Sequence, residues 1–391
     1  MNRVRIWTAA IFCFVFADAV AMQARGPILT SLEASFGVSE AALGLIAPAG
    51  TVGFVVAAVA TGLLAGRLRF RRTLLLAVGG VCVALVLMAS APLYVLFLLA
   101  LVAQGAAAGA FRGLDRAVLS HLFTTRRGRV FNAYALTWAV GAVVGPQLVN
   151  VVLAVADWRA VFVVIALLFL PTALAAARTE LPSMSAERSL SSDAFGELIQ
   201  QPAVVGASVG ILLTGAVEGI LFTWLAYYAS GFYETTTANL LLSAYLLAYV
   251  PARAGYTVLV GRVPYLVLLF VATVPTIPAL AVAFSGVTGP ALFLAVFVAG
   301  AGLSCGFPTL SAYAVDAAPE YSGPLNALTT GATYAGIAIA PVIVGVLAEL
   351  YGIERAMWLT VAIAGALLAT IGTTWLWAGA TVSRAVGTTA E

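Results

Sequence analysis

Residues 96–105 read LFLLALVAQG, and residues 291–300, which lie 195 positions further along the chain, read ALFLAVFVAG. The offset is half of the 391-residue sequence, so the chain divides into two similar halves. This internal repeat predicts that both halves form the same structural unit. Two further pairs recur at the same offset: Gly66-Arg67 with Gly261-Arg262, and Gly141…Pro146 with Gly336…Pro341.

The composition predicts that both halves lie in a membrane. Of the residues, 62% are hydrophobic and 9% are charged, whereas a soluble domain carries about 25% charged residues. Apolar stretches of about 20 residues recur along the chain, and each is long enough to cross a bilayer as a helix. They lack the roughly ten-residue alternation of an outer-membrane barrel. The sequence therefore predicts an all-α membrane protein that is surrounded by the lipid bilayer and has no nucleic-acid partner.

Twelve transmembrane helices are predicted, six in each half. Two pseudo-symmetric six-helix bundles occupy residues 1–177 and 204–391. The polar, serine-rich stretch 178–203 joins them as a cytoplasmic linker, with a short surface helix near Asp193–Gln200. Two similar bundles are typical of transporters, because they can rock about a site held between them. The predicted spans are 6–30, 41–65, 73–91, 93–121, 130–154, 159–177, 204–231, 238–260, 264–285, 289–314, 325–350 and 355–379.

The arginines lie mainly on one side of the predicted membrane. The chain has no lysine, and the outer loops contain only Arg159 and Arg355. Positive residues accumulate in cytoplasmic loops. This asymmetry therefore predicts a multi-pass protein of the plasma membrane with both termini in the cytoplasm. The arginines at the predicted cytoplasmic ends are Arg3, Arg5, Arg67, Arg69, Arg71, Arg72, Arg126, Arg127, Arg129, Arg178, Arg188, Arg262 and Arg384.

Six plus six helices, with both ends inside and a polar central loop, resemble the major facilitator superfamily over nearly the whole chain. The loop after the second span is similar to the signature with which that family locks its halves together on the cytoplasmic side, although Gly66 replaces the family's aspartate. The fifth span reads GAVVGP at 141–146, which resembles the family's glycine-proline bend, often associated with exporters. The resemblance implies gating roles for Arg67, Arg71, Gly141, Gly145, Pro146 and Pro341.

Several ionisable side chains lie inside the predicted spans, where each costs roughly 2.5–3.5 kcal/mol to bury. Asp18 and Arg25 share one face of span 1, but they are about 10 Å apart along the helix. Each therefore needs a partner from another helix, or a ligand. Arg112, Asp115 and Arg116 share one face of span 4, because they are three and four residues apart.

Glu218 in span 7 and Arg253 in span 8 have no oppositely charged residue within a turn of their own helices. In the superfamily, spans 1, 4, 7 and 10 line the central cavity and span 8 often contributes, so the resemblance places most of these charges there. Arginine stays charged at any working pH, whereas carboxyl groups can exchange protons. Predicted substrate contacts are Arg25, Arg112, Arg253 and Tyr249, and predicted proton-coupling residues are Asp18, Asp115 and Glu218.

These charges do not recur in the other half, unlike the glycines and prolines of the repeat. Such a pattern is expected when a functional site is built on a symmetric frame. At the 195-residue offset, Asp18, Arg112, Glu218 and Arg253 correspond to Leu213, Phe307, Gln23 and Ala58.

The sequence contains no nucleotide-binding loop, so an ion gradient is expected to drive transport. No enzyme activity, metal site or cofactor is predicted. Because four arginines at membrane depth outnumber three carboxyl groups, the leading hypothesis is a monomeric, proton-coupled symporter of a small organic anion, such as a carboxylate or sugar acid. A proton-driven drug or metabolite efflux antiporter, with internally paired arginines, is the alternative. A lipid scramblase or flippase, or a non-transporting membrane sensor, is a third hypothesis.

Overall fold

The computed structural model describes residues 3–64, 68–123, 127–180, 201–260, 262–318 and 322–387, which are almost entirely helical. Gly66, Arg67 and the surface helix predicted near residue 193 lie outside these ranges. The described helices are α1 (Arg3–Gln23), α2 (Leu29–Phe36), α3 (Glu40–Leu43), α4 (Ile46–Leu63), α5 (Phe70–Ser90), α6 (Tyr94–Leu122), α7 (Arg127–Leu153), α8 (Trp158–Arg178), α9 (Pro202–Ser230), α10 (Thr235–Leu247), α11 (Tyr249–Leu259), α12 (Tyr265–Ala283), α13 (Pro290–Leu303), α14 (Gly306–Ala317), α15 (Ser322–Tyr351), α16 (Ile353–Ala356) and α17 (Leu359–Gly387), with a turn of 3-10 helix at Gly26–Ile28.

Eleven stretches of the described chain are long and apolar enough to cross a membrane. The remaining predicted span, span 8 at 238–260, is present as two shorter helices, α10 and α11, which meet at Ala248. Pro251 explains the division, because it has no N–H to donate to the carbonyl of Leu247 and its ring crowds that carbonyl. The predicted single helix is therefore wrong in this detail, although the span itself is occupied.

Proline divides two other spans in the same way. Pro308 cannot donate to the carbonyl of Ser304, and the tenth span is interrupted between α13 and α14 at Ser304 and Cys305. In the first span, Pro27 cannot donate to the carbonyl of Gln23, where α1 ends. Interrupted helices are tolerated at membrane depth where they are buried in protein or line a cavity. These breaks therefore mark the positions where a site is expected.

The two halves repeat one close helix contact at the 195-residue offset. A Cβ atom on Gly105 would lie 2.4 Å from the carbonyl oxygen of Gly50, and one on Gly300 would lie 2.3 Å from the carbonyl oxygen of Tyr245. Both glycines let two helix backbones approach closely. Span 4 thus packs on span 2 as span 10 packs on span 8, so the sequence repeat is also a repeat in three dimensions.

The helices alternate in direction, so the start of α1, the end of α8, the start of α9 and the end of α17 lie at one end of the bundle. We call this the proximal end and the opposite one the distal end. In the distal part the 3-10 turn after α1 meets α9 so closely that a Cβ atom on Gly26 would lie 2.3 Å from the carbonyl oxygen of Phe222. Tyr227 of α9 also donates to Glu40 of α3 at 3.4 Å.

Polar side chains join α7 to α10 in the distal part of the interface. Gln147 Nε2 donates to Ser243 Oγ at 2.9 Å, and Asn239 Nδ2 donates to Asn150 Oδ1 at 2.7 Å. The Ser243 hydroxyl in turn donates to the carbonyl oxygen of Val143 at 3.0 Å. These bonds connect the two halves in the distal part of the bundle.

Candidate functional site

Arg25 lies at the interruption of the first span, just after α1. Its Nη2 donates to Oε1 of Gln104 on α6 at 2.8 Å. Its Nη1 lies against Gly50 of α4, where a Cβ atom would be only 2.1 Å away. Among the ion pairs of the described residues, none involves Arg25. The prediction that Arg25 needs a partner from another helix is confirmed, and that partner is a neutral amide.

Arg25 and Asp18 both line a small cavity between the halves. Its volume is about 20 Å³, which is enough for about one water molecule. Tyr334 of α15 forms the wall that comes from the second half, and its ring lies 4.8 Å from the ring of Phe54, centroid to centroid. The lining residues are Asp18, Met22, Arg25, Gly50, Thr51, Phe54, Gln104, Gly105, Ala108, Trp138 and Tyr334.

Arg112 of α6 is held by two carboxylates. Its Nη1 lies 3.0 Å from Asp18 Oδ2, and its Nε lies 3.5 Å from Asp115 Oδ2. The Tyr134 hydroxyl of α7 donates to the same oxygen of Asp115, and the guanidinium of Arg112 lies 5.2 Å from the Tyr134 ring centroid. Asp115 is fully buried, and its other oxygen has no hydrogen-bond partner among the described residues. Arg112 is therefore already neutralised by neighbouring side chains.

The second half holds a carboxyl group in a different setting. Glu218 of α9, which is 8% exposed, accepts a hydrogen bond from the Tyr249 hydroxyl at 2.6 Å. The hydroxyls of Tyr245 and Tyr249 lie 2.9 Å apart, and both tyrosines are buried. No ion pair of the described chain includes Glu218. This glutamate is thus bonded to a neutral group.

Arg253 of α11 lies beside this group. Its Nε donates to the carbonyl oxygen of Ser304 at 3.3 Å, which is the carbonyl that Pro308 leaves without a helical donor. Its guanidinium also lies over the ring of Tyr249, 5.0 Å from the centroid. Arg253 is half-buried and forms no ion pair within the described ranges. The two interrupted spans, 8 and 10, are therefore bridged by an arginine.

The charge balance of the site differs from the sequence prediction. Arg116 is exposed and stacks over the Tyr134 ring at 5.6 Å, so its charge belongs to the surface. Without it, the three arginines at membrane depth are matched by three carboxyl groups, and the predicted cationic surplus in the cavity is absent. The matched groups are Arg25, Arg112, Arg253, Asp18, Asp115 and Glu218.

Of the predicted gating residues, Arg67 lies outside the described ranges. Arg71 donates to the carbonyl oxygens of Ala176 at 3.1 Å and Ala177 at 2.6 Å. These groups end α8, where the last carbonyls of a helix lack partners and carry partial negative charge. Arg71 therefore caps a helix of its own half, whereas the family resemblance implied a lock between the halves.

Gly141 and Gly145 let α7 pack directly on α1. A Cβ atom at position 141 would lie 2.5 Å from the carbonyl oxygen of Phe16, and one at position 145 would lie 2.9 Å from Cβ of Gln23. Both glycines thus serve a close helix contact, which leaves their predicted gating role as an inference from the resemblance alone.

The two prolines of the repeat are both buried inside continuous helices. Pro146 lies within α7, and Pro341 lies within α15. The carbonyl of Pro341 accepts a hydrogen bond from Trp224 Nε1 at 3.0 Å, which ties α15 to α9. Neither proline interrupts its helix, in contrast to those of spans 1, 8 and 10.

The site also contains residues that the sequence interpretation missed. Gln104 and Gly50 fix Arg25, and an amide seam of Gln147 and Asn150 with Asn239 joins the halves. The substrate-contact and proton-coupling residues predicted inside the spans are charged groups and Tyr249, and none of them carries a side-chain amide. Uncharged amides in otherwise apolar spans are the signal that would have identified these residues, because a buried amide also needs partners.

Comparison with known proteins assigns the chain to a protein family. The family model of the Major Facilitator Superfamily matches residues 11–236, which is more than half of the chain. The chain therefore belongs to the major facilitator superfamily, and it is a multi-pass membrane transporter. No protein of curated function matches the sequence.

Solved structures share the fold at low sequence identity. A bacterial homologue of the human lysosomal transporter Spinster, in an inward-facing and unoccupied conformation, has a TM-score of 0.82 at 14% identity, with 96% of this chain and 97% of that chain covered. A mutant of the nucleoside transporter NupG has a TM-score of 0.81 at 12% identity, with coverages of 95% and 100%. The superfamily transporter FucP, in the outward conformation, has a TM-score of 0.64 at 16% identity, with coverages of 95% and 99%.

Proposed function

We propose that the protein is a proton-coupled symporter of a small organic anion, either a carboxylate or a sugar acid, which works by alternating access. The observation that carries this proposal is Arg25, a cation at membrane depth that lines the cavity and is bonded to an amide instead of an acid. A charge at membrane depth that forms no direct ion pair is costly. An anionic substrate beside Arg25 would remove that cost.

The net charge of the ionisable side chains at membrane depth indicates which ion is coupled to the substrate. The three arginines and three carboxylates at membrane depth sum to zero when all are ionised. A bound monovalent anion adds one negative charge, which one proton on a carboxylate cancels. Binding of the anion and of a proton therefore favour each other, so the expected stoichiometry is one proton per monovalent anion.

Glu218 is the carboxyl group best placed to take that proton. Protonating Asp18 or Asp115 breaks an ion pair with Arg112. Glu218 has only a hydroxyl donor, so its protonation breaks no ion pair of the described chain. We therefore assign substrate binding to Arg25 in the first half and the coupling proton to Glu218 in the second half.

A short path connects the two groups. Gly26, the neighbour of Arg25, packs directly on the backbone at Phe222, one helical turn beyond Glu218. The Phe222 ring also contacts the ring of Tyr245 at 6.1 Å, and Tyr245 is hydrogen-bonded to the tyrosine that contacts Glu218. A shift of Arg25 on anion binding would thus be transmitted to α9 through direct contacts.

The proposed state is inward-facing, with the proximal end towards the cytoplasm of the plasma-membrane protein. Two observations support it: the hydrogen-bonded distal end, and the higher TM-score with an inward-facing structure (0.82) than with an outward one (0.64). The predicted arginine asymmetry places the same end inside.

The efflux alternative rests on Asp18, a cavity-facing acid that could attract a cation. Its carboxylate already accepts Arg112 at 3.0 Å, which weakens that attraction. The lipid-transport alternative requires an opening between spans 5 and 8, where the bonds of Gln147 and Asn150 lie.

The proposal is tested by uptake into proteoliposomes of radiolabelled lactate, gluconate and benzoate under an inward proton gradient. Protein-free liposomes correct for passive entry. We expect gradient-stimulated uptake of at least one anion, and its loss in Arg25→Ala. Arg159→Ala removes the same charge from the first turn of α8, at the distal end, and should transport normally. Full uptake by Arg25→Ala would overturn the proposal, as would the absence of uptake of all three anions.

A further inference from the structure

We propose that the anion is an aromatic monocarboxylate, whose carboxylate binds Arg25 and Gln104 and whose planar ring binds between Phe54, Trp138 and Tyr334. This inference rests on the proposed function, since it assumes that the cavity accepts an anion. It narrows the substrate class from carboxylates and sugar acids in general to acids with a flat apolar ring.

The carboxylate end of the site offers two donors on neighbouring groups. Gln104 is 1% exposed, and its Nε2 has no hydrogen-bond partner among the described residues, although its Oε1 accepts from Arg25. A buried amide nitrogen without an acceptor is costly. One carboxylate oxygen on Arg25 and the other on Gln104 Nε2 would satisfy both groups with charge-assisted hydrogen bonds.

Three aromatic side chains, Phe54, Trp138 and Tyr334, line the same cavity. The rings of Phe54 and Tyr334 meet across the two halves at 43° between planes, and Trp138 lines the same cavity from α7. Phe54 is held in place because a Cβ atom on Gly109 would lie 2.1 Å from its carbonyl oxygen. Aromatic rings pack well against a further ring in tilted or offset arrangements.

Two polar side chains of the lining, Thr51 and Asp18, already have partners and offer little to the hydroxyl groups of a sugar acid. The Thr51 hydroxyl donates to the carbonyl of Ala47 at 2.7 Å, and Asp18 is occupied by Arg112. Each substrate hydroxyl left without a partner would weaken binding, because a buried polar group loses its bonds to water. The lining therefore favours a ligand whose only polar end is the carboxylate.

The position of Tyr334 suggests why an aromatic ring on the substrate would matter for transport. This residue belongs to the second half, whereas the other lining residues belong to the first. The cavity of about 20 Å³ has no room for a ring in this state, so the ring enters when the halves rock and Tyr334 moves away from Phe54. A ring held between these two side chains would draw the halves together, which a short aliphatic acid cannot do.

The inference is tested by calorimetric binding to the purified full-length protein in nanodiscs. The probes are benzoate, cyclohexanecarboxylate, lactate, gluconate and benzyl alcohol. We expect benzoate to bind about ten-fold more tightly than cyclohexanecarboxylate, still more tightly than lactate or gluconate, and benzyl alcohol not to bind.

Substitutions in the cavity test where the aromatic ring of the bound anion lies. Phe54→Leu and Tyr334→Leu should lose the preference for benzoate over cyclohexanecarboxylate, whereas Trp375→Leu, on an outward-facing position of α17 that is 48% exposed, should keep it. Trp138→Leu is a further test at a half-buried position if the first two variants fold poorly. Equal affinity for all carboxylates, or an unchanged preference in the folded cavity variants, would refute the aromatic specificity and leave the anion proposal standing. Binding of no carboxylate would refute the anion proposal itself.

Discussion

The two halves share a backbone frame but hold their charges differently. In the first half Arg112 bonds directly to Asp18 and Asp115, so three charges form one ion-paired cluster. In the second half Glu218 bonds to a tyrosine, and the nearby Arg253 bonds to a backbone carbonyl. Protonation of Asp18 or Asp115 in the first arrangement would break an ion pair with Arg112. Protonation of Glu218 in the second arrangement would break none of the described ion pairs.

This difference suggests how one symmetric frame serves two tasks. The ion-paired half provides a rigid support on which Arg25 is presented to the cavity. The hydrogen-bonded half provides a carboxyl group that can change charge during the cycle. The following predictions test this division of roles, in order of decreasing expected effect.

Removing the central cation of the first half should have the largest effect. Arg112→Ala leaves two buried carboxylates without their partner, and breaking a buried pair in this way costs about 3–5 kcal/mol. We expect a strongly lowered unfolding temperature and no transport. Thermal unfolding in detergent measures the stability, with Arg159→Ala as the control that removes an arginine from the first turn of α8. Wild-type stability in Arg112→Ala would show that the cluster is not a structural support.

Neutralising the second-half carboxyl should uncouple transport without unfolding the protein. In Glu218→Gln the amide imitates a protonated carboxyl and still accepts from Tyr249. We expect substrate exchange across the membrane to continue, while the stimulation of uptake by a proton gradient disappears. Glu234→Gln, at the start of α10, is the control that should keep this stimulation. If Glu218→Gln still accumulates substrate in response to the gradient, the coupling proton lies elsewhere.

A single methyl group should disturb the anion site. Gly50→Ala places its Cβ atom where Nη1 of Arg25 lies, 2.1 Å away, so the guanidinium must move from Gln104. We expect the affinity for the anion to fall about ten-fold, which corresponds to about 1.4 kcal/mol. Gly79→Ala on α5 has open space around its Cβ atom and should bind normally. Equal affinities in the two variants would argue against Arg25 as the anion contact.

The smallest effect is expected at the tyrosine pair. Tyr249→Phe removes the donor to Glu218, and the loss of a typical hydrogen bond costs about 1 kcal/mol. We expect a small fall in unfolding temperature and retained transport. Tyr245→Phe, which removes only the bond to Tyr249, should be milder still. A complete loss of coupling in Tyr249→Phe with normal folding would instead make this hydroxyl part of the proton path.

The fold was predictable from the sequence because hydrophobicity and repetition are properties of long stretches. Apolar runs define the spans whatever their partners are, and the 195-residue offset relates Gly105 to Gly300 in both the sequence and the helix contacts. The division at Ala248 was also accessible, since Pro251 stands in the sequence, but we predicted a continuous helix there.

The candidate site could be predicted only in part. Membrane-depth charges are visible in the sequence, and the structure brings Asp18 and Arg25 to one cavity. The pairing of acids with arginines depends on how helices that are distant in the sequence pack together. Arg112 and Asp18, for example, are in contact although they are 94 residues apart in the sequence. Gly50 acts through its neighbours in space, so neither composition nor periodicity indicates it, whereas the Gln104 amide is visible in the sequence as a polar group in an apolar stretch.

The most direct test of the account is the number of protons taken up when an anion binds. It is measured by titration calorimetry of the benzoate complex in buffers with different ionisation enthalpies, with lactate as a second ligand. We predict the uptake of one proton per anion by the wild-type protein and of none by Glu218→Gln, which should still bind the anion. Anion binding without proton uptake by the wild type, or undiminished uptake by Glu218→Gln, would contradict the assignment of substrate and proton to separate halves.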